Sequence, residues 1–176
     1  MTRPSPTKII LSADQIQQRV KELADEIQRD FRDETELHLV SVLKGAFLFL
    51  GDLVRAMDRS VTIDFMAVSS YAKGTTSSGE VRVLKDLDYG LEVRNVIIVE
   101  DIVDTGLTLS YLQEILRARS PKNLRTACLL SKPSRRLVDV KVEYIGFTIE
   151  DQFVVGYGLD YAEQFRNLPY IGILEG

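Results

Sequence analysis

Three carboxylates within five residues, Glu100, Asp101 and Asp104, meet two threonines and a glycine in Val99-Glu100-Asp101-Ile102-Val103-Asp104-Thr105-Gly106-Leu107-Thr108-Leu109-Ser110. Ahead of them, Val96-Ile97-Ile98-Val99 is a continuous apolar run of the kind found in a strand buried on both faces of a parallel sheet. The run stops at the first two acids, and an amphipathic helix follows the turn. A hydroxyl- and glycine-bearing turn at a helix N-terminus suits a phosphate, because free N–H groups and the helix dipole both favour an anion. The acidic pair beside it suits ribose hydroxyls or a hard cation. Three such acids at a strand end repel one another unless a partner of that kind compensates. The segment has the chemistry of a site for a phosphorylated sugar.

The surrounding elements must hold that segment. Ser12 with Gln15 has the form of a capping box, followed by Ile16, Val20, Leu23, Ile27 and Phe31 at helical spacing. Strands are expected over residues 37–43, 61–68, 81–84, 96–99, 124–130 and 142–147, and helices over 47–57 and 107–119. Residues 70–79 form a polar, glycine-bearing loop, as suited to a hairpin as to a lid over a site. Strands alternating with helices predict an α/β fold with a parallel sheet covered on both faces, its site at the carboxyl ends of the strands. The two chain ends, residues 1–35 and about 148–176, fit this alternation less well and could pack together as a small cap.

At 176 residues the chain is expected to form one domain, 1–176, with a core of about 37–147. Its 22 basic and 26 acidic side chains leave a net charge of −4, which gives no bulk pull toward nucleic acid or anionic membrane. The N-terminus leads into no long apolar stretch, so no signal peptide is expected. Residues 39–50 are too few to span a membrane. One cysteine, Cys128, excludes an internal disulfide, and with a single histidine, His38, it excludes the usual zinc ligand sets. Both read as structural. The Gly74 to Gly79 spacing matches a Walker loop only in part, since Glu80-Val81 stands where Lys and Ser/Thr are required.

Several other residues have an ordinary reading of their own. Lys44 could be a lysine snorkelling from a strand end, Lys132 a surface lysine, Phe153 a core ring, Asp160 a turn acid and Arg166 a surface cation. Tyr157, Tyr161 and Tyr170 read as packing residues. Together with the acidic segment, however, they carry a resemblance. Val96 to Ser110 resembles the phosphoribosyl-pyrophosphate signature of type I phosphoribosyltransferases, in the form of the hypoxanthine–guanine branch. Leu43-Lys44-Gly45, Ser70-Tyr71, Leu130-Ser131-Lys132, and Phe153 to Tyr161 with Phe165-Arg166 extend it over residues 37–174 in the family's order.

The resemblance implies the type I phosphoribosyltransferase fold, a central, mostly parallel sheet flanked by helices under a small hood made by the chain ends. It implies that Asp104, Thr105, Gly106, Leu107 and Thr108 wrap a 5′-phosphate, although some members carry lysine where this chain has Leu107. Glu100 and Asp101 would face the ribose hydroxyls directly or through Mg2+, with Asp160 as a further magnesium ligand. Lys44-Gly45, often preceded by a cis peptide bond at Leu43–Lys44, and Arg166 would bind pyrophosphate, and Ser70-Tyr71 would close over it. Lys132 would donate to a purine 6-oxo group, Phe153 would stack on the base, and Val154 and Asp160 would lie at its edge. Asp104 would be the general base near N7.

The implied activity is purine salvage: phosphoribosyl pyrophosphate plus hypoxanthine or guanine giving IMP or GMP and pyrophosphate, in a cytoplasmic homodimer or homotetramer. No nucleic-acid or membrane partner is implied. Two other classes share the phosphate loop. One is a regulator of the same fold that binds nucleotide and RNA, which Lys132, Phe153 and the acidic balance oppose. The other is a transferase for a different base, such as xanthine or uracil, which differs only in the base pocket.

Overall fold

In the computed structural model, which describes residues 6, 8–71 and 80–174, two sheets form. The larger has the order β4-β3-β2-β5-β6-β7, built from β2 (His38–Leu43), β3 (Thr62–Tyr71), β4 (Glu80–Lys85), β5 (Asn95–Val103), β6 (Asn123–Ser131) and β7 (Tyr144–Thr148). All its pairings are parallel except the β3–β4 hairpin at one edge. The predicted central sheet is therefore present, with β5 in its middle.

Both faces of β5 are apolar because alternate side chains enter different clusters. Ile97 and Val99 join one that includes Ile16, Leu23 and Ile27 of α1 (Ala13–Asp30) and Phe49 and Leu53 of α2 (Phe47–Arg55). Val96 and Ile98 join another with Leu109, Leu112 and Leu116 of α3 (Leu107–Arg117). The capping box at the start of α1 is formed, with the Gln15 N–H donating to Ser12 Oγ at 3.2 Å and the Ser12 N–H to Gln15 Oε1 at 2.9 Å.

The smaller sheet joins the chain ends: β1 (Lys8–Leu11), β9 (Ile171–Ile173) and β8 (Val154–Val155), all antiparallel. Its Leu11, Val154, Ile171 and Ile173 belong to the same cluster as α1 and α2, which fixes the hood on the core. Residues 13–30, grouped with the cap by sequence, instead cover the main sheet as α1.

One boundary differs in a way that bears on the site. The apolar run ends at Val99, but β5 continues to Val103, with Glu100 paired to Cys128, Ile102 to Leu130 and Val103 to Ser131. Strand pairing uses backbone groups, so β6 extends β5 through residues whose side chains are acidic. Because neighbours on a strand point to opposite faces, the acidic pair is divided. Glu100 follows the parity of Val96 and Ile98, and Asp101 that of Ile97 and Val99.

Candidate active site

At the carboxyl end of β5 lies a cavity of about 210 Å³, lined by residues 100–106, Thr108 and Leu109. Gly106 caps α3 in the left-handed region, at φ +85°, where a side chain would be strained. The N–H groups of Thr105, Gly106 and Thr108 have no hydrogen-bond partner among the described residues. The carbonyls around them are occupied from behind. Thr105 O accepts from Leu137 N at 2.9 Å, and Arg136 donates to the carbonyls of Val103 and Asp104. Donors are thus left on the cavity side at a helix N-terminus, the arrangement that receives a phosphate.

The two strand acids sit in unusual surroundings. Glu100 is 7% exposed, and its carboxylate makes no hydrogen bond or ion pair among the described residues. Burial, with the Asp101 charge adding to it, pushes its carboxyl well above the ordinary range. Burial also raises Asp101 to about 6, opposed by the N–H of Ile102 and by Arg166. A pair held this way favours a bound cation or sugar hydroxyls that would stabilise the charged forms.

The sign of the pH effect follows. Raised folded-state values mean that the native protein binds protons which the unfolded chain has released. This part of the stability therefore falls as pH rises through the window from about 4 to 6, and the loss persists above it. Glu100→Gln removes one of the buried charges. It is expected to raise the urea midpoint at pH 8 by the equivalent of about 0.5–2 kcal/mol, with a smaller gain at pH 5.

Asp101 is held close to Gly45, where an added Cβ would lie 1.7 Å from its Oδ2. Gly45→Ala must displace that carboxylate and is expected to cost about 1–3 kcal/mol of stability in urea unfolding. The Leu43–Lys44 peptide bond is cis. Gly158 lies against the same loop, since a Cβ there would meet Gly45 O at 2.0 Å. Lys44 Nζ pairs with Glu163 Oε2 at 2.9 Å, so the loop is joined to residues 156–166 twice. In that stretch Arg166 donates to Gly158 O at 2.8 Å and pairs with Asp160 and Glu163, each at 3.0 Å. Its Nε is buried without a hydrogen-bond partner among the described residues. Tyr157, Ala162, Glu163 and Phe165 all have positive φ, and such strained backbone gathers at functional sites.

Lys132 directly follows β6. Its N–H donates to Val103 O at 3.0 Å, which sets it beside the end of β5. Lys132 is buried rather than a surface lysine, and Nζ donates to Gln152 O at 2.7 Å with Asp151 Oδ1 at 3.7 Å. Phe153, next in sequence to that carbonyl, is 54% exposed, so the core reading does not hold. It meets Tyr161 edge to face at 5.9 Å. Tyr161 is half exposed and is not a core packing residue, whereas Tyr157 is buried and donates to Asp52. An aromatic ring left largely in solvent can stack on a planar ligand.

The structure thus brings Lys44, Gly45, Asp101, Asp160 and Arg166 together, while Glu100 points to the opposite face of β5. Lys132 meets the Gln152 carbonyl, and Phe153 and Val154 follow that residue in the chain, Val154 buried in β8. Ser70 and Tyr71 end β3, but their side chains and residues 72–79 lie outside the described residues. His38 and Cys128 are buried and structural. His38 Nδ1 lies 2.7 Å from Thr62 Oγ1, and burial raises the Cys128 thiol to about 12.

Arg135 and Glu163, which sequence reasoning did not single out, have contacts here, and Tyr161, read from sequence as a packing residue, has another. Arg135 Nε lies 3.2 Å from Asp104 Oδ1, Glu163 bridges Lys44 and Arg166, and Tyr161 supports Phe153. Only Arg135 had a legible signal, a cation three residues beyond Lys132.

No three carboxylates converge into a metal cage among the described residues. Magnesium commonly takes only one or two carboxylates and completes its shell with phosphate oxygens and water. Glu100 and Asp101 fit such a partial set. Asp160 is engaged by Arg166 and by the Glu163 N–H at 2.8 Å.

The model of the phosphoribosyl transferase domain matches residues 6–162. A hypoxanthine-guanine phosphoribosyltransferase of Bacillus subtilis is 51% identical over 168 residues, covering 96% of this chain and 93% of its own. The protein of that name from Mycobacterium tuberculosis is 50% identical, over 95% of this chain and 85% of its own. Among solved structures, a hypoxanthine-guanine phosphoribosyltransferase from Bacillus anthracis superposes with a TM-score of 0.93 at 47% identity, covering 97% of this chain and all of the other.

Proposed function

Since the chain belongs to the phosphoribosyltransferase family, on its hypoxanthine–guanine branch, we propose that it transfers the phosphoribosyl group of phosphoribosyl pyrophosphate to N9 of hypoxanthine or guanine. The products are IMP or GMP and pyrophosphate, and the role is purine salvage. The observation that carries the base assignment is the buried Lys132, set against the end of β5 and donating to the carbonyl of Gln152, whose neighbour Phe153 leaves its ring exposed.

In this reading the free N–H groups and hydroxyls of residues 104–108 hold the 5′-phosphate and so fix the sugar. Lys44, the Gly45 N–H and Arg166 bind the pyrophosphate, where a planar guanidinium matches phosphate oxygens better than an ammonium. Glu100 and Asp101 face the ribose 2′- and 3′-hydroxyls. When bound, Mg2+ would be held by Glu100 and Asp101, with Asp160 as a further ligand, and would offset charge on the pyrophosphate oxygens.

The C1–O bond loosens first, leaving positive charge on the ribosyl carbon, with the carboxylates of β5 nearby. Phe153 stacks on the purine, Lys132 donates to its 6-oxo group, and Val154 supplies backbone contacts at its edge. N9 attacks C1 as Asp104 accepts the proton from N7. Ser70, Tyr71 and the loop after them would close over the pyrophosphate and exclude water.

The whole chain, 1–176, is taken as one domain working in the cytoplasm, as a homodimer or homotetramer. Incubation with phosphoribosyl pyrophosphate, hypoxanthine and Mg2+ is expected to give IMP and pyrophosphate in equal amounts, and chelation of the metal to stop it. Release of pyrophosphate without formation of a nucleotide would contradict the assignment.

A further inference from the structure

Arg135 has no part in the chemistry described so far, yet it touches the proposed base. It ends the short 3₁₀ turn Pro133–Arg135 that follows β6. Its N–H donates to Lys132 O at 3.1 Å, and the next residue, Arg136, is tied to the carbonyls of Val103 and Asp104. The Arg135 backbone is thereby anchored between Lys132 and Asp104. Its Nε lies 3.2 Å from Asp104 Oδ1, and its Nη1 3.7 Å from Asp151 Oδ2. Asp151 Oδ1 in turn lies 3.7 Å from Lys132 Nζ. Four charges of alternating sign run in sequence: Asp104, Arg135, Asp151, Lys132.

We propose that Arg135, with Asp151, is a positioning residue that holds Asp104 and Lys132 apart and aimed at one edge of the purine. This rests on the function proposed above. The 6-oxo group and N7 lie on the same edge of the bicycle, so the group that donates to one and the group that accepts from the other must stand side by side. A lysine and an aspartate placed that way tend to pair with each other and lose the substrate. Arg135 gives Asp104 a different cation, and Asp151 gives Lys132 a different anion. The buried Lys132 keeps its aim because Gln152 O accepts a hydrogen bond from Nζ and the Asp151 carboxylate lies within ion-pair range before the base arrives. Arg135 itself is exposed and contributes little to the core.

The test compares wild type with Arg135→Ala, Arg135→Lys, Asp151→Asn and the Ala–Asn double variant. It reads kcat, KM for hypoxanthine and for phosphoribosyl pyrophosphate, IMP binding by calorimetry, and the thermal midpoint. Arg135→Ala is expected to lower kcat/KM for hypoxanthine about five- to fiftyfold, between the loss of a part-exposed ion pair and a misplaced catalytic group. KM for phosphoribosyl pyrophosphate and the thermal midpoint should stay near wild type, and Arg135→Lys should recover most of the loss. The double variant should be no worse than the worse single one, as for residues acting as a unit. Wild-type kinetics with hypoxanthine for Arg135→Ala would overturn the proposal alone. So would a loss that falls equally on phosphoribosyl pyrophosphate and is not recovered by lysine. A wild-type protein that makes no IMP would overturn the function and this proposal together.

Discussion

Replacing Asp104 with asparagine is expected to lower kcat by about 10²–10⁴-fold, the usual worth of a positioned general base. The side chains are nearly isosteric, so the turn at residues 104–108 should survive the change. In the proposed reading that turn holds phosphate through N–H groups of the main chain, and the Arg136 contacts behind it go to carbonyls. KM for phosphoribosyl pyrophosphate should therefore change little. The separation of the two constants is the informative result. Steady-state kinetics with both substrates varied will show it, and near-normal turnover by the asparagine variant would remove Asp104 from the role.

The second large effect is expected at Lys132. Lys132→Met keeps the length of a buried side chain but deletes the donor to the 6-oxo group. Removing one partner of a desolvated, charge-assisted contact costs roughly 2–5 kcal/mol, so kcat/KM for hypoxanthine should fall by about 30-fold or more. The thermal midpoint is a necessary control, because Gln152 O loses its partner and Asp151 one of its two cations. Hypoxanthine should suffer through its KM, while KM for phosphoribosyl pyrophosphate stays near wild type. A variant with unchanged selectivity among bases would show that Lys132 does not read the 6-oxo group.

Much of this arrangement was legible in the chain because its parts are local. The phosphate turn, its buried strand and its helix are contiguous, and their residue types state their chemistry. The capping box of α1 and the alternating strands and helices are local in the same way. What could not be read depends on distant pairing. β1, β8 and β9 have only two to four residues each, too few for periodicity, and β1 finds its partner β9 at the far end of the chain. β5 runs past its apolar stretch because β6 continues beside it. The burial of Lys132 and the exposure of Phe153 are set by how residues 151–153 cross the end of β6, which no pattern around either residue reports. Glu163 and Tyr161 matter through contacts with Lys44 and Phe153, and neither has a sequence signal of its own.

The central claim is that this site transfers a phosphoribosyl group to a 6-oxopurine. It is tested most directly by offering hypoxanthine, guanine, xanthine, adenine and uracil in turn, each with phosphoribosyl pyrophosphate and Mg2+, and measuring kcat/KM for nucleotide formation. Hypoxanthine, guanine or both should exceed adenine by about 10²-fold or more, since adenine presents an amino group where Lys132 needs an acceptor. Turnover of adenine or uracil at the rate of the best 6-oxopurine, or no nucleotide from any 6-oxopurine, would contradict it.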